Sequence, residues 1–294
     1  MLGPYGLGIL AAILSGGLHA FGAILQKSAV NRIPVAERDD RFMRRLLRTP
    51  AWLLGLALSF GLGTVFNLLA QRLIGPALVP GLTASGMLVL AVAAVRLIGE
   101  HLRPLEMLGI LLLVAGTGLL GWSRLAIPAD QVDLLDHALL LRILGFTVVL
   151  GACWFLSFWL ARRAPSRSRG LWMAVSGGFP FSLSNLWILP MLLTIGSVLA
   201  GTALIVEVFL FLVSCVLLVG TNAAGIRQTQ EAYKFAQASR VQPIQQIPTQ
   251  IVPILLYFFV FRRTASGLPL LLVPLAVVMI ISAGFLLGER KAEL

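Results

Sequence analysis

Residues 203–226 read ALIVEVFLFLVSCVLLVGTNAAGI, and Glu207 is the sole charged side chain in the run. A helix needs roughly 20 mostly apolar residues to cross a hydrocarbon core, and this stretch supplies them. Working outward, comparable runs occupy 5–26, 51–73, 77–98, 105–123, 138–160, 171–192, 240–261 and 267–288. The expected fold is therefore an all-α polytopic membrane protein with about nine transmembrane helices. Composition agrees. Of the 294 residues, 58% are hydrophobic and 12% charged, where soluble domains have about 25% charged residues. Mean hydropathy is +0.93, and the segments between spans leave no room for a sizeable soluble domain. Met1 to Gln26 lacks the charged start of a secretory signal and holds His19 within its run, so it reads as the first span.

A net charge of +11 would point a soluble protein towards nucleic acid. Here the basic residues gather between spans, where they set orientation instead. An odd number of spans puts the termini on opposite sides. With the N-terminus outside, the inward segments carry Lys27 to Arg48, Arg96, Arg103, Arg162 to Arg169, Arg227, Lys234, Arg240, Arg290 and Lys291, most of the 23 Lys and Arg residues. Arg72, Arg124, Arg142, Arg262 and Arg263 remain outside, together with the acidic Asp130, Asp133 and Asp136. The positive-inside rule thus predicts N-out, C-in, and the expected location is the plasma or inner membrane, crossed many times. Cys153 and Cys215 stand singly in apolar runs, with no spacing for a disulfide framework or a metal site.

The chain also resembles itself. One offset aligns Ser15-Gly16-Gly17 with Ser176-Gly177-Gly178. A second, one residue larger, lays Ala70-Gln71-Arg72-Leu73 on Ala232-Tyr233-Lys234-Phe235, Val79 on Val241 and Gly81 on Pro243. Gly118 to Gly121 matches Gly284 to Gly288 loosely. Residues 1–125 then form a first repeat of four spans with a basic inner loop at 27–50, 126–170 a connecting span, and 171–294 a second repeat of four spans. Five spans separate each helix from its counterpart, so the copies enter the membrane in opposite directions. Inverted-topology repeats of this kind characterise many secondary transporters.

Polar residues fall on defined helix faces. In the eighth span Gln242, Gln245, Gln246, Thr249, Gln250 and Pro253 share one face. Amides buried in lipid without partners cost several kcal/mol each, so that face looks at other helices or at water. Ser59, Gly63, Asn67 and Gln71 form a line on the second span, suited both to close packing and to solute contact. In the first span Ala12, Gly16 and Ala20 read as packing residues, with His19 beside them and Gln26 and Lys27 at the end. The sixth span holds Ser176, Gly177, Pro180, Ser182, Ser184 and Asn185, where a helix break or a proline kink is expected. The expected substrate-binding residues are Asn67, Gln71, Ser184, Asn185, Gln242, Gln245, Gln246 and Thr249. Candidates for coupling or ion binding are His19, Glu207 and Glu231. Arg227, Glu231 and Lys234 are spaced for mutual ion pairing.

Catalysis would need a nucleophile with its base, a metal cluster or paired carboxylates. The histidines His19, His101 and His137 occur in no such setting, so no enzyme and no resident cofactor are expected.

Most of the chain, and most clearly residues 52–121, resembles the drug/metabolite transporter superfamily, in particular its EamA-like, NIPA-type magnesium transporter branch. The resemblance rests on Trp52-Leu53-Leu54-Gly55, Asn67, Pro76-Ala77-Leu78-Val79-Pro80-Gly81, Gly99-Glu100 and Gly109 to Gly121, and on Ile24-Leu25-Gln26-Lys27 followed by a basic segment. It implies nine spans with the N-terminus outside and transport by alternating access. Departures fall at Thr64, where that branch tends to carry glutamate, and at Gln230-Glu231-Ala232-Tyr233. Magnesium favours oxygen ligands that include carboxylates. The leading expectation is therefore a carrier for a small polar solute, with a magnesium or other divalent-cation transporter as the alternative. A structural or lipid-handling protein is the third reading. The expected partners are the lipid bilayer and the transported solute or cation, with Mg2+ entering only as a transported ion and a homodimer compatible.

Overall fold

The computed structural model describes residues 4–34, 38, 41–74, 79–123, 134, 136–264 and 267–288, without the side chains of Gln71, Ile74, Pro80, Gly81 and Arg167. Pro76 to Leu78, Arg124, Asp130, Asp133, Arg290, Lys291 and the Gln71 side chain therefore lie outside the described residues. Every described element is a helix. They are α1 (Pro4–Arg32), α2 (Phe42–Leu46), α3 (Pro50–Leu56), α4 (Gly63–Ile74), α5 (Val79–Ala84) and α6 (Gly86–Ile98), followed by α7 (Pro104–Trp122), α8 (His137–Arg163), α9 (Ser166–Leu199), α10 (Ile205–Tyr233), α11 (Ala238–Leu255) and α12 (Leu268–Gly288). A π-helical turn, Ala57–Leu62, joins α3 to α4, and another, Leu256–Val260, extends α11.

Eight described segments are long and apolar enough to cross a membrane, which is the architecture of an α-helical, multi-pass membrane protein. The stretch expected as a continuous span at 77–98 is instead two shorter helices, α5 and α6, interrupted at Ser85. Side-chain hydroxyls compete with the helix ladder there: Ser85 Oγ donates to the Leu82 carbonyl at 2.5 Å and Thr83 Oγ1 to that of Val79 at 3.0 Å. In α9 the helix runs unbroken through Pro180 and Pro190, so of the break and the kink expected there the break is not seen. Membrane helices tolerate the hydrogen bond each proline omits when hydroxyls and neighbouring helices satisfy the freed groups.

The chain forms two compact units. The first comprises Met1–Ala126, Gln230–Ile247 and Ala265–Leu294. Within it α1 packs on α3, the first π turn, α4, α5 and α6. Small residues allow these contacts, since lipid leaves close van der Waals packing as the main attraction between helices. A Cβ on Gly16 would overlap the Thr83 carbonyl, and one on Gly86 would overlap the backbone of Gly16. Gly22 and Gly55 meet in the same way, beside the buried Ser59. Ala12 and Ala20 are buried, as a packing stripe requires. α7 lies against α12, with Gly109 facing Ala283 and Leu287, and Gly116 facing Ala276 and Ile280. Numbers that rise along α7 fall along α12, so the two helices run antiparallel.

The second unit comprises Ile127–Thr229 and Pro248–Thr264. Its core joins Leu139, Ile143 and Leu150 of α8 to Leu183, Leu186 and Trp187 of α9, Leu210 of α10, and Val252, Leu256 and Val260. Trp187 Nε1 donates to Thr147 Oγ1 at 3.1 Å, satisfying the indole inside that apolar cluster. Arg142 donates to the Val260 carbonyl at 2.7 Å.

Candidate functional site

Polar groups of the first unit are strung along α1. Ser15 Oγ donates to the Gly63 carbonyl at 2.8 Å. His19 Nδ1 lies 2.8 Å from the Ser15 carbonyl, one turn back. A carbonyl oxygen can only accept, so this contact puts the proton of the neutral ring on Nδ1 and leaves Nε2 as the acceptor. The imidazole rests on Gly63, where a Cβ would come within 2.7 Å of Nδ1 and Cε1. Gly63 follows directly on the π turn, whose Ser59 donates to the His19 carbonyl at 3.4 Å. His19 is nevertheless exposed.

Towards its C-terminus α1 meets the junction of α10 and α11. Gln26 accepts from Gln230 Nε2 at 2.6 Å, and both amides are buried. Lys27, also buried, donates to the carbonyls of Tyr233 at 2.5 Å and Ala236 at 2.8 Å. Those carbonyls sit at the end of α10, the negative pole of the helix, where intrahelical partners run out. Glu100 serves the opposite pole. Its carboxylate accepts from the backbone N–H of Ala238 at 2.7 Å and of Ser239 at 3.0 Å, and from Ser239 Oγ at 2.5 Å, capping the start of α11. The left-handed Gly99, φ +68°, ends α6 and releases Glu100 from the helix line.

A buried ion pair joins α11 to α7. Arg240 Nε lies 3.3 Å from Glu106 Oε1, with the two side chains 6% and 1% exposed. The same guanidinium donates through Nε and Nη2 to the Leu287 carbonyl at 2.9 and 2.7 Å, closing the end of α12. Glu106 Oε2 accepts from the Arg103 N–H at 3.0 Å and thereby caps α7. Each buried charge thus meets an opposite charge or a helix pole, the condition under which buried ions are tolerated. Within the basic segment, Arg38 donates to the carbonyls of Val30, Ile33 and Lys234. Lys234 pairs with Glu231 at 2.9 Å and sits 4.0 Å from the centre of the Phe42 ring.

Along α11 the expected polar face is divided, because Gln245 is buried with the apolar side chains. Val241, Ile244 and Val252 are buried, whereas Gln242, Gln246, Thr249 and Gln250 are half-buried; Gln245 is buried. Gln242 Nε2 donates to the Tyr233 hydroxyl at 2.6 Å.

In the second unit, Asn222 Nδ2 donates to Ser184 Oγ at 2.6 Å and to the Leu218 carbonyl at 2.8 Å. Ser176 Oγ donates to Gln228 Oε1 at 3.1 Å. Asn185 is exposed on α9. The Phe181 ring lies on Gly225, where a Cβ would come within 2.8 Å of Cε2 and Cζ.

The expected residues are therefore distributed as follows. Ser184 and Gln242 have identified side-chain partners, and Asn67 is half-buried on α4. Glu207 accepts from the Leu204 N–H at 2.8 Å, which engages it at the start of its own helix. Glu231 pairs with Lys234, while Arg227 is exposed. Sequence reasoning passed over Glu100, Glu106 and Arg240, whose partners lie far along the chain. The available local signal was Arg103-Pro104-Leu105-Glu106, a helix start with an acid in its first turn. Among the described residues, no three His, Cys, Asp or Glu side chains come together as a metal would require.

Comparison with protein-family models, curated proteins and solved structures finds no match for this chain.

Proposed function

We propose that this chain is a secondary carrier of the drug/metabolite transporter type, moving a small polar solute across the plasma or inner membrane by alternating access. The observation that carries this reading is the accessible amide stripe of α11. Gln242, Gln246, Thr249 and Gln250 stay half-buried while Val241, Ile244 and Val252 of the same helix are buried. Gln242 is held by the Tyr233 hydroxyl, and the stripe as a whole stays partly open; polar groups within a membrane by default mark a pathway.

Two inverted repeats, with the N-terminus outside, complete the proposal. The offset that lays Ala70 on Ala232 also lays Gly63 on Gly225 and His19 on Phe181. In both places a ring covers a glycine of the following helix in its own unit. The antiparallel pairing of α7 with α12 suits helices that cross in opposite senses. The divalent-cation alternative draws less support, since Glu207 and Glu231 are engaged by Leu204 and Lys234.

The test is the unfolding midpoint of the purified protein across magnesium, other divalent cations, amino acids and anionic metabolites, because a ligand that binds the folded state raises it. A saturable rise with an organic solute, abolished by Gln246→Ala, is expected. A rise with magnesium alone would replace this reading with the cation transporter.

A further inference from the structure

The two ring-on-glycine contacts contain a natural control. On Gly225 the covering ring is Phe181, so packing at that site needs only an aromatic plane. On Gly63 the ring is His19, and its imidazole adds a titratable nitrogen that packing does not require. The Ser15 carbonyl fixes Nδ1 as a donor, which leaves Nε2 with its lone pair free to take a proton. His19 keeps part of its surface open, and its ring faces the π turn Ala57–Leu62, a kind of distortion common at functional sites.

Among the described residues, the charges carried by α1 and the helices packed on it stand towards helix ends, Glu231 and Lys234 lying by the end of α10 that Lys27 meets. On α1 the nearest ionisable side chain is Lys27, two turns further on. Of the elements packed on α1, α3, the π turn and α5 carry no ionisable group. α4 carries Arg72 and α6 carries Arg96, each in the last turn of its helix. The groups around the imidazole are Ser15, Ser59 and Gly63, all neutral.

We infer that His19 is the proton-coupling residue of the carrier: Nε2 takes up a proton from one side, giving the imidazolium, and releases it to the other, while Nδ1–H stays on Ser15. This rests on the carrier reading above and adds the coupling ion to it. Glu207 is not used, because its carboxylate is already engaged at its own helix end.

Two measurements test it. The first is 15N NMR of histidine-labelled protein in nanodiscs, with His19→Phe identifying the His19 signals by difference. An Nε2 resonance that titrates between about pH 5 and 8 is expected, that being the range in which histidine changes charge. A His19 ring with no Nε2 titration there overturns the proposal, whatever the protein transports. The second is acidification of pyranine-loaded proteoliposomes on adding an equimolar mixture of neutral amino acids, with radiolabelled uptake followed in parallel. Solute-dependent acidification by the wild type and its loss in His19→Phe are expected, with the unfolding midpoint of the variant unchanged because phenylalanine fills the same place. Uptake without acidification, or equal acidification by His19→Phe, removes the coupling role and leaves the carrier standing. If Nε2 titrates but no added solute enters, the carrier reading fails, and the coupling role built on it falls too.

Discussion

The ammonium of Lys27 donates to the backbone carbonyl of Tyr233 at 2.5 Å, bridging 206 residues of sequence. Together with Glu100 on Ser239 it grips the turn between α10 and α11 from both sides, a cation at the end of one helix and a carboxylate at the start of the next.

Lys27→Met removes two charged hydrogen bonds while keeping the length of the side chain. Hydrogen bonds to charged groups contribute about 1.5–3 kcal/mol each, so this variant is expected to be destabilised by about 3–6 kcal/mol. The unfolding midpoint in detergent, followed by tryptophan fluorescence, checks it. A midpoint within error of wild type would show that the two carbonyls are as well served by water.

Glu100→Gln keeps the shape but replaces one acceptor oxygen with an amide that faces backbone N–H donors. A loss of about 1–2 kcal/mol is expected, the range for removing a helix cap. Because Lys27 and Glu100 hold opposite ends of one turn, the double variant should lose less than the sum of the single losses. Strict additivity in the double-mutant cycle would mean that the two grips act independently.

Arg240→Met strands Glu106 as a buried charge and frees the Leu287 carbonyl. Breaking one side of such a pair costs about 3–5 kcal/mol, and replacing both sides by apolar residues is often far milder. Arg240→Met is therefore expected to aggregate on size-exclusion chromatography, whereas Arg240→Met with Glu106→Leu recovers a monodisperse peak. A double variant no better than the single one would locate the contribution of Arg240 at Leu287 rather than at Glu106.

How much of this was legible beforehand depends on the distance over which each residue acts. Long apolar runs declare themselves, because helix length is set by bilayer thickness, and the stripe on α11 follows from helical spacing alone. Gly16 and Gly63 read as close-packing residues without their partners being known. Glu100 and Glu106 gave no such signal, since the groups that engage them, Ser239 and Arg240, are more than a hundred residues away. The break at Ser85 was hidden for another reason: hydrophobic periodicity records what lipid tolerates and is blind to a hydroxyl competing for a carbonyl. The unbroken α9 shows the converse, since in a membrane a proline is a weak stop signal.

The glycines around α1 yield a ranked prediction. At Gly17 an added Cβ meets nothing within 4 Å, so Gly17→Ala should be neutral or stabilise by up to about 1 kcal/mol through helix propensity. At Gly63 the Cβ meets the His19 ring, a side-chain end that can swing aside, and the Leu58 carbonyl at 3.0 Å. Gly63→Ala should therefore lose about 1–3 kcal/mol, the usual range for overpacking, and His19→Ala should restore part of it. At Gly86 the Cβ would enter the backbone of Gly16, and no rotamer can relieve that overlap. Helices α1 and α6 would have to separate, so Gly86→Ala should lower the unfolding midpoint most of the three. Measured in one detergent, the order Gly17→Ala, Gly63→Ala, Gly86→Ala should run from highest midpoint to lowest. A Gly86→Ala midpoint above that of Gly63→Ala would mean that α1 and the α5–α6 break do not touch in the folded protein, and the packing around α1 would need to be redrawn.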